Sequence, residues 1–330
     1  MDTHLDMTDS LMVPLSIEHF IDGSLLPADV FFKLQPNKYI PVGKRGQASH
    51  FRDLHLFKDK IKDKKLQIVH LQKSELKDFV NKCLLSFQKI DVGVDGLDLK
   101  FKFLAQSSDL VIKQFEFLGV NSETVESARL LTKSIQEVAR QSHSVIELLH
   151  RFKDLPGNRA SQALCVSTVS AMIAIELGWA SDSLLEKVSI GGLLHDIGLQ
   201  NFPDSLLRKS YLDLTSQERA LYETHPYVGA QILRTVPGIP PEVISIVHEH
   251  HENSVGEGYP RRLDDGKINP LSKIVGLATQ FTELVLPSGN EEPLKPEQAV
   301  NYIQNVLGQP FNSECYKAFT IIFGKKKQSG

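Results

Sequence analysis

Five of the chain's 12 histidines stand between positions 195 and 251: His195, His225, His248, His250 and His251. Imidazole nitrogens and carboxylate oxygens are the donors a borderline divalent metal takes. An aspartate that directly follows a histidine can bridge two metal ions while the histidine holds one of them. His195-Asp196 has that form, in the run GGLLHDIG; His225 follows in THPYVGAQIL, and the adjacent His250 and His251 in VHEHHENSVGEGYP. A single histidine on an apolar helix is more often a core residue than a ligand. A His-Asp pair, a His-Pro and a His-His in one stretch reverse that expectation and point to a metal centre. His248 is extra to the pattern and reads as exposed.

The pattern that must position these groups is a run of helices. Apolar spacing predicts a helix over 161–177, with Cys165, Val169, Met172 and Ile173 on one face and Gly178 as its stop. Ser181 opens the next, on which Leu184, Leu185, Val188, Leu193 and Leu194 form a buried face running into His195-Asp196, before Gly198 breaks the helix. Further helices are expected over 216–225 and 241–251, each turning a histidine-bearing end toward the same centre. Others follow over 271–286 and 296–307, with 315–323 as a shorter closing element. Upstream, 98–154 is helical in pattern, with Ser122 as N-cap, Glu123 and Glu126 in the first turn, and Ala128, Leu131, Ile135, Val138 and Ala139 at helical spacing. The turn signal Leu155-Pro156-Gly157 ends it. A helix joining two domains is the natural reading, and a coiled seam in a homodimer is compatible with it; periodicity decides neither.

Before position 98 the signals are mixed. Val30-Phe31-Phe32-Lys33-Leu34, the turn residues Pro36-Asn37-Lys38 and the run Tyr39-Ile40-Pro41-Val42 read as a β-hairpin. The charged run 58–65 reads as a loop into a strand at 66–71, and Ser74 as the cap of a helix whose apolar face carries Leu76, Phe79, Val80 and Cys83. The expected fold class is therefore α+β. A small N-terminal α+β domain covers 1–97, a helical linker 98–155, and an all-α helical bundle 156–330. No motif in the first part carries chemistry; a sensing or docking module and an inert cap are equally open.

Composition narrows the class of function. An apolar fraction of 41% and a charged fraction of 23% are those of a globular chain. A net charge of −3 gives no case for bulk nucleic-acid binding, and Lys325-Lys326-Lys327 reads as a solvated tail. Cys83, Cys165 and Cys315 are odd in number and far apart, as in a reducing compartment, with no metal role. The beginning, MDTHLDMTDS, is acidic where a signal peptide is basic, and no apolar run is long enough to span a bilayer. The expectation is a cytoplasmic protein with no membrane partner.

The order His-Asp-Ile-Gly, His-Pro-x-x-Gly, His-His-Glu and Gly-Tyr-Pro, over 158–308, resembles the HD-GYP subfamily of HD-domain phosphohydrolases. Members hydrolyse cyclic di-GMP at a dinuclear, sometimes trinuclear, iron or manganese centre. The resemblance implies an HD-domain helical bundle in which Asp196, His225, His250 and His251 hold one metal, while His195, with Asp196 shared, belongs to the other. His195-Asp196 is then the catalytic pair. Gly258, Tyr259 and Pro260 form the motif loop, and Lys209 and Lys273 match cations that face the substrate phosphates. Other positions depart from the family. Its upstream histidine falls at Gln162, its late aspartate at Thr279, and a carboxylate of trinuclear members at Asn158. The lysine of HDIGK is Leu199, and the aspartate of DGxGYP is Val255. Glu283, one helical turn after Thr279, could in principle replace the lost carboxylate.

The charge consequence is direct. The family's two aspartates and a bridging hydroxide offset most of the charge of two divalent cations, whereas here Asp196 is the one certain anion. The second cation's affinity is expected to fall steeply. One divalent metal on Asp196 and three histidines persists, with iron, manganese or zinc all suited to that set. The implied mechanism, in-line attack on phosphorus by a metal-bridging hydroxide, loses its bridge. The expectation is a degenerate HD-GYP protein of bacterial cyclic di-GMP signalling, its phosphodiesterase activity lost or much reduced. It would act as a module responsive to cyclic di-GMP, a related nucleotide or a protein partner. Two alternatives stay open: a working cyclic di-GMP phosphodiesterase that completes an atypical site with Gln162, Glu283 or water, and a helical interaction domain without ligand.

Overall fold

The computed structural model describes residues 5–20, 24–48, 68–87, 97–141, 155, 158–286, 292–305 and 311–324. They fall into two units, one built from Met1–Asp91 and Asp109–Gly119, the other from Val92–Ser108 and Val120–Gly330. In the first unit β1 (Leu5–Asp6), β2 (Met12–Ser16), β3 (Val30–Gln35), β4 (Lys38–Gly43) and β5 (Ile68–Gln72) make an antiparallel sheet in the order β1-β4-β3-β5-β2. The expected hairpin is β3–β4, with Asn37 in the left-handed region at φ 58°. Asp9 pins it, accepting from Lys33 Nζ at 2.6 Å, Tyr39 Oη at 2.7 Å and Asn37 N at 2.9 Å. Pro14 lies in β2, at the sheet's edge, where a missing N–H leaves no inner ladder broken.

The expected strand at 66–71 is β5, of which 66–67, like the charged run 58–65, lie outside the described residues. Ser74 does not cap the following helix; it sits inside a 3-10 turn, Lys73–Glu75, that feeds directly into α1 (Leu76–Phe87). Leu76, Phe79, Val80 and Leu84 form the buried face, and Cys83 is only half-buried. The next helix, α2 (Leu97–Leu118), contributes its first part to the second unit and the rest to the first.

The second unit is helical: α3 (Ser122–Gln141), α4 (Arg159–Glu176), α5 (Asp182–Leu194), α6 (Asp204–Leu207), α7 (Ser216–Tyr222), α8 (His225–Arg234), α9 (Pro241–Glu249), α10 (Pro270–Val285), α11 (Pro296–Asn305) and α12 (Ser313–Gly324). Residues 160–174 of α4 are buried on every side, which makes it the axis on which α3, α5, α10 and α12 pack. The cap of α3 is Asn121 and not Ser122: the Asn121 Oδ1 accepts from Glu123 N at 2.9 Å and Thr124 N at 3.1 Å. Its apolar face, with Val125, Ala128, Leu131, Ile135 and Val138, is spent on α4 and α5. That face is therefore not a free coiled seam. The tail lysines 325–327 and the end of the helix expected over 296–307 lie outside the described residues.

The helix expected over 216–225 ends at Tyr222, and His225 opens a second helix that the spacing does not name. A capping box of Thr215 and Glu218 opens α7, which stops at Tyr222, and α8 starts at His225 with Pro226 in its first turn. Pro226 has no N–H to offer the carbonyl of Tyr222 four residues back, so one continuous helix is excluded.

Candidate metal centre

The last carbonyls of a helix have no N–H partner within it, and at three helix ends such a carbonyl aims a histidine. His195 Nδ1 donates to Gly192 O in the last turn of α5, His250 Nδ1 to Val247 O in the last turn of α9, and His225 Nδ1 to the Tyr222 carbonyl that Pro226 leaves without a partner, each at 2.8 Å. A carbonyl only accepts, so Nδ1 carries a proton in each ring, and in the neutral imidazole Nε2 is the lone-pair atom. Asp196 reaches the same place because the segment after it runs hard against α8. A Cβ on Gly198 would lie 2.1 Å from the carbonyl oxygen of His225 and 2.8 Å from Gly229 N, so only glycine fits.

These lone pairs converge. His225 Nε2 is 3.1 Å from His250 Nε2 and 3.1 Å from Asp196 Oδ1, and His250 Nε2 is 3.6 Å from the same oxygen. Ligand atoms of Asp196, His225, His250 and His251 all lie within 4.8 Å of one another. In their neutral form these rings turn acceptors on one another and on Asp196 Oδ1, which is buried with no hydrogen-bond partner among the described residues. Such an arrangement is repulsive unless a cation sits in it. Three imidazoles and one carboxylate suit a divalent transition metal. On its other side, Asp196 Oδ2 faces His195 Nε2 at 3.3 Å.

Electrostatics prepare the ligands in the form a metal needs. Burial pushes His250 down to about 4, helped by the neighbouring imidazoles, and burial with those same neighbours holds His251 well below the usual histidine range. Both are neutral near pH 7. Burial resists the charge on Asp196, yet the surrounding imidazoles, His195 foremost, hold its carboxyl well below the usual carboxylate range. At His195 burial is outweighed by the charge of Asp196, and its pKa is raised.

The other predicted positions are placed as follows. Gln162 is buried, with Nε2 donating to Leu286 O at 2.9 Å. Thr279 is buried and its hydroxyl lacks a hydrogen-bond partner. Asn158 caps α4 by accepting from Ser161 N at 2.9 Å. Leu199 is buried, Val255 is exposed and bridges to Asp264. Lys209 pairs with Glu218 at 2.6 Å and Lys273 with Asp265 at 2.9 Å. Tyr259 stacks on His251, ring centroids 4.5 Å apart and planes 22° from parallel, and Gly258 has no room for a side chain beside the His251 carbonyl. Pro260 is half-buried. His248 is not exposed as expected but half-buried beside Tyr227, apart from the four ligands.

Sequence reasoning missed Glu249 and gave no role to Glu252, the acid of His-His-Glu; both are buried, bracket the histidine pair and fix the following loop. A carboxylate on each side of His-His was the available signal. A cleft of about 260 Å³ opens at the pair, lined also by Gly276, Gln280, Glu283 and Phe311.

Compared with known proteins, residues 135–314 match the HD domain family. The chain is 30% identical over 176 residues to a cyclic di-GMP phosphodiesterase of Thermotoga maritima, covering 53% of this chain and 47% of the relative. It is 26% identical over 216 residues to the cyclic di-GMP phosphodiesterase response regulator RpfG of Xanthomonas campestris pv. campestris, covering 65% and 57%. The chain thus spans about half the length of these relatives. Bd1817, a HDG"Y"P protein from Bdellovibrio bacteriovorus, shares the fold with a TM-score of 0.68 at 20% identity, over 94% of this chain and 99% of that one.

Proposed function

This chain belongs to the HD domain family, with HD-GYP-like motifs, and from that premise we propose a bacterial cyclic di-GMP signalling protein with one strong cation seat and little or no phosphodiesterase activity. Asp196, His225, His250 and His251 would hold iron, manganese or zinc. The observation that carries the reading is the set of lone pairs turned on Asp196 Oδ1, against a second position whose replaced residues are neutral: the Gln162 amide is spent on the Leu286 carbonyl and Thr279 offers only a hydroxyl.

A bound cation supplies a polarised phosphoryl oxygen and a more acidic water. The chain's own residues do the remaining work. Carbonyls of Gly192, Tyr222 and Val247 hold the imidazoles in one tautomer, and Tyr259 covers His251. Phosphate neutralisation is weak, since Leu199 is apolar and Lys209 and Lys273 are engaged by carboxylates. The first unit would be a sensing or docking part, and a protein partner or a homodimer would carry the signal onward. Among the described residues no helix is long and apolar enough to cross a membrane.

The test compares this protein and the Thermotoga maritima phosphodiesterase, purified anaerobically, for cyclic di-GMP binding and hydrolysis. Binding that His250→Ala abolishes, with hydrolysis at least about 10-fold slower than the relative, is expected. Hydrolysis at the relative's rate would overturn the reading. It would favour a working enzyme instead, for which Glu283, on the cleft with His250 and His251, is the residue to examine.

A further inference from the structure

The histidine pair is bracketed by two acids. Glu249 precedes His250 and Glu252 follows His251, and each is only 6% exposed. Neither faces the cation seat with its hydrogen bonds; both reach the loop that carries Gly258-Tyr259-Pro260. Glu249 Oε1 accepts from Arg261 Nη2 at 2.6 Å and Oε2 from Asn269 N at 2.8 Å. Glu252 Oε1 accepts from Arg261 N at 2.6 Å and Oε2 from Leu263 N at 2.8 Å. All four carboxylate oxygens are thus committed to 261–269. Arg261 is the one residue gripped by both acids, through its side chain and its backbone.

The same segment returns to the pair. Tyr259 N donates to His251 O at 3.1 Å, and the Tyr259 ring stacks on the His251 ring. The backbone at Gly258 passes so close that a Cβ there would lie 2.3 Å from the His251 carbonyl oxygen. Loop and His251 are therefore in direct contact through backbone and ring. Charge-assisted hydrogen bonds of this length are the strong ones, and each glutamate spends its two oxygens on two different residues of the loop.

We propose that Arg261 and Glu249 are positioning residues for the cation seat: their ion pair sets the orientation of His251 through the loop, without touching the cation. The claim rests on the metal reading above. It predicts more than a stability role, because a misaligned ligand weakens the cation's hold and changes its ligand field, whereas a merely structural contact lowers the melting temperature alone.

The experiment titrates the full chain with Co²⁺ and Mn²⁺ in wild-type, Arg261→Gln, Arg261→Lys and Glu249→Gln forms, reading dissociation constants, the visible Co²⁺ spectrum and the melting temperature of the metal-free protein. Wild type is expected to bind. Arg261→Gln should weaken binding about 10-fold or more and shift the Co²⁺ bands, and Arg261→Lys, which keeps the charge, should recover most of the loss. Arg261 is half-exposed, with its side chain 43% accessible. The isosteric Glu249→Gln provides the second reading should Arg261→Gln not fold. A folded variant with wild-type affinity and spectrum overturns the positioning role. A wild type that binds neither ion overturns the metal reading itself, a different result from the first.

Discussion

The two oxygens of Asp196 keep different company. Oδ1 faces His225 and His250, whose protons are tied back to helix-end carbonyls, and His251 completes that side. Oδ2 faces His195 Nε2 at 3.3 Å. Gln162 and Thr279, where the family resemblance places the remaining ligands, offer neutral groups, the first already bonded to Leu286. The lesson is that a metal seat is made by lone pairs denied any proton. The protein denies them on one side of this carboxylate more thoroughly than on the other.

The comparison can be broken most severely at its hinge. Asp196→Asn keeps the shape and removes the anion both sides share, and metal affinity measured by titration should fall more than about 100-fold, beyond the range of outer-partner losses. If the loss is under 10-fold, the histidines alone make the seat and the contrast between the two oxygens is empty.

Next in size is repair of the weak side. Gln162→His with Thr279→Asp should raise the bound metal by a second equivalent in elemental analysis, since it returns an imidazole and a charge. No gain would mean these two residues do not face Asp196 Oδ2.

Acid sharpens the contrast. His250 sits at about 4 in the fold against its ordinary 6.5. Between those values the unfolded chain binds a proton that the folded one refuses, so its contribution to stability is lost as pH falls through that window. His251, held lower still, acts the same way. His195, raised by Asp196, works in the opposite sense: its contribution is complete below 6.5 and lost as pH rises through its folded value. With His248, at about 4, and His70 also depressed by burial away from the centre, four depressed histidines against one raised predict that the metal-free protein melts at a lower temperature at pH 5 than at pH 7. An unchanged or rising melting temperature on acidification would contradict the neutral state of the pair.

The smallest effect is a control away from the centre. Thr215→Ala breaks the capping box of α7 and should cost about 1 kcal/mol of stability, read by denaturant unfolding, with metal affinity unchanged. A parallel loss of metal binding would mean that the segment before His225 takes part in the seat.

How much of this was legible in the residues varies with the range of the interaction involved. The cluster of Asp196, His225, His250 and His251 was legible as candidate ligands because imidazole and carboxylate chemistry is written in residue type, and the helices that bear them in periodicity. The β3–β4 hairpin was legible in its turn residues. The pairing of β2 with β5 was not, because more than fifty residues separate the partners and no local signal names them. The separate helix opened by His225 was overlooked, although Pro226 in its first turn is a start signal. The role of Glu249 was invisible for another reason: an acid at the end of a short helix ordinarily faces water, and only the returning loop holds it inward, as it also holds Glu252 of His-His-Glu. His248 shows the converse, an isolated histidine that packs beside Tyr227 and joins nothing.

The most direct test is the metal content of the full chain purified without oxygen and measured per polypeptide. One equivalent of a divalent metal, lost in Asp196→Asn, is predicted. Two equivalents in the wild-type protein, or none under any loading condition, would contradict the account.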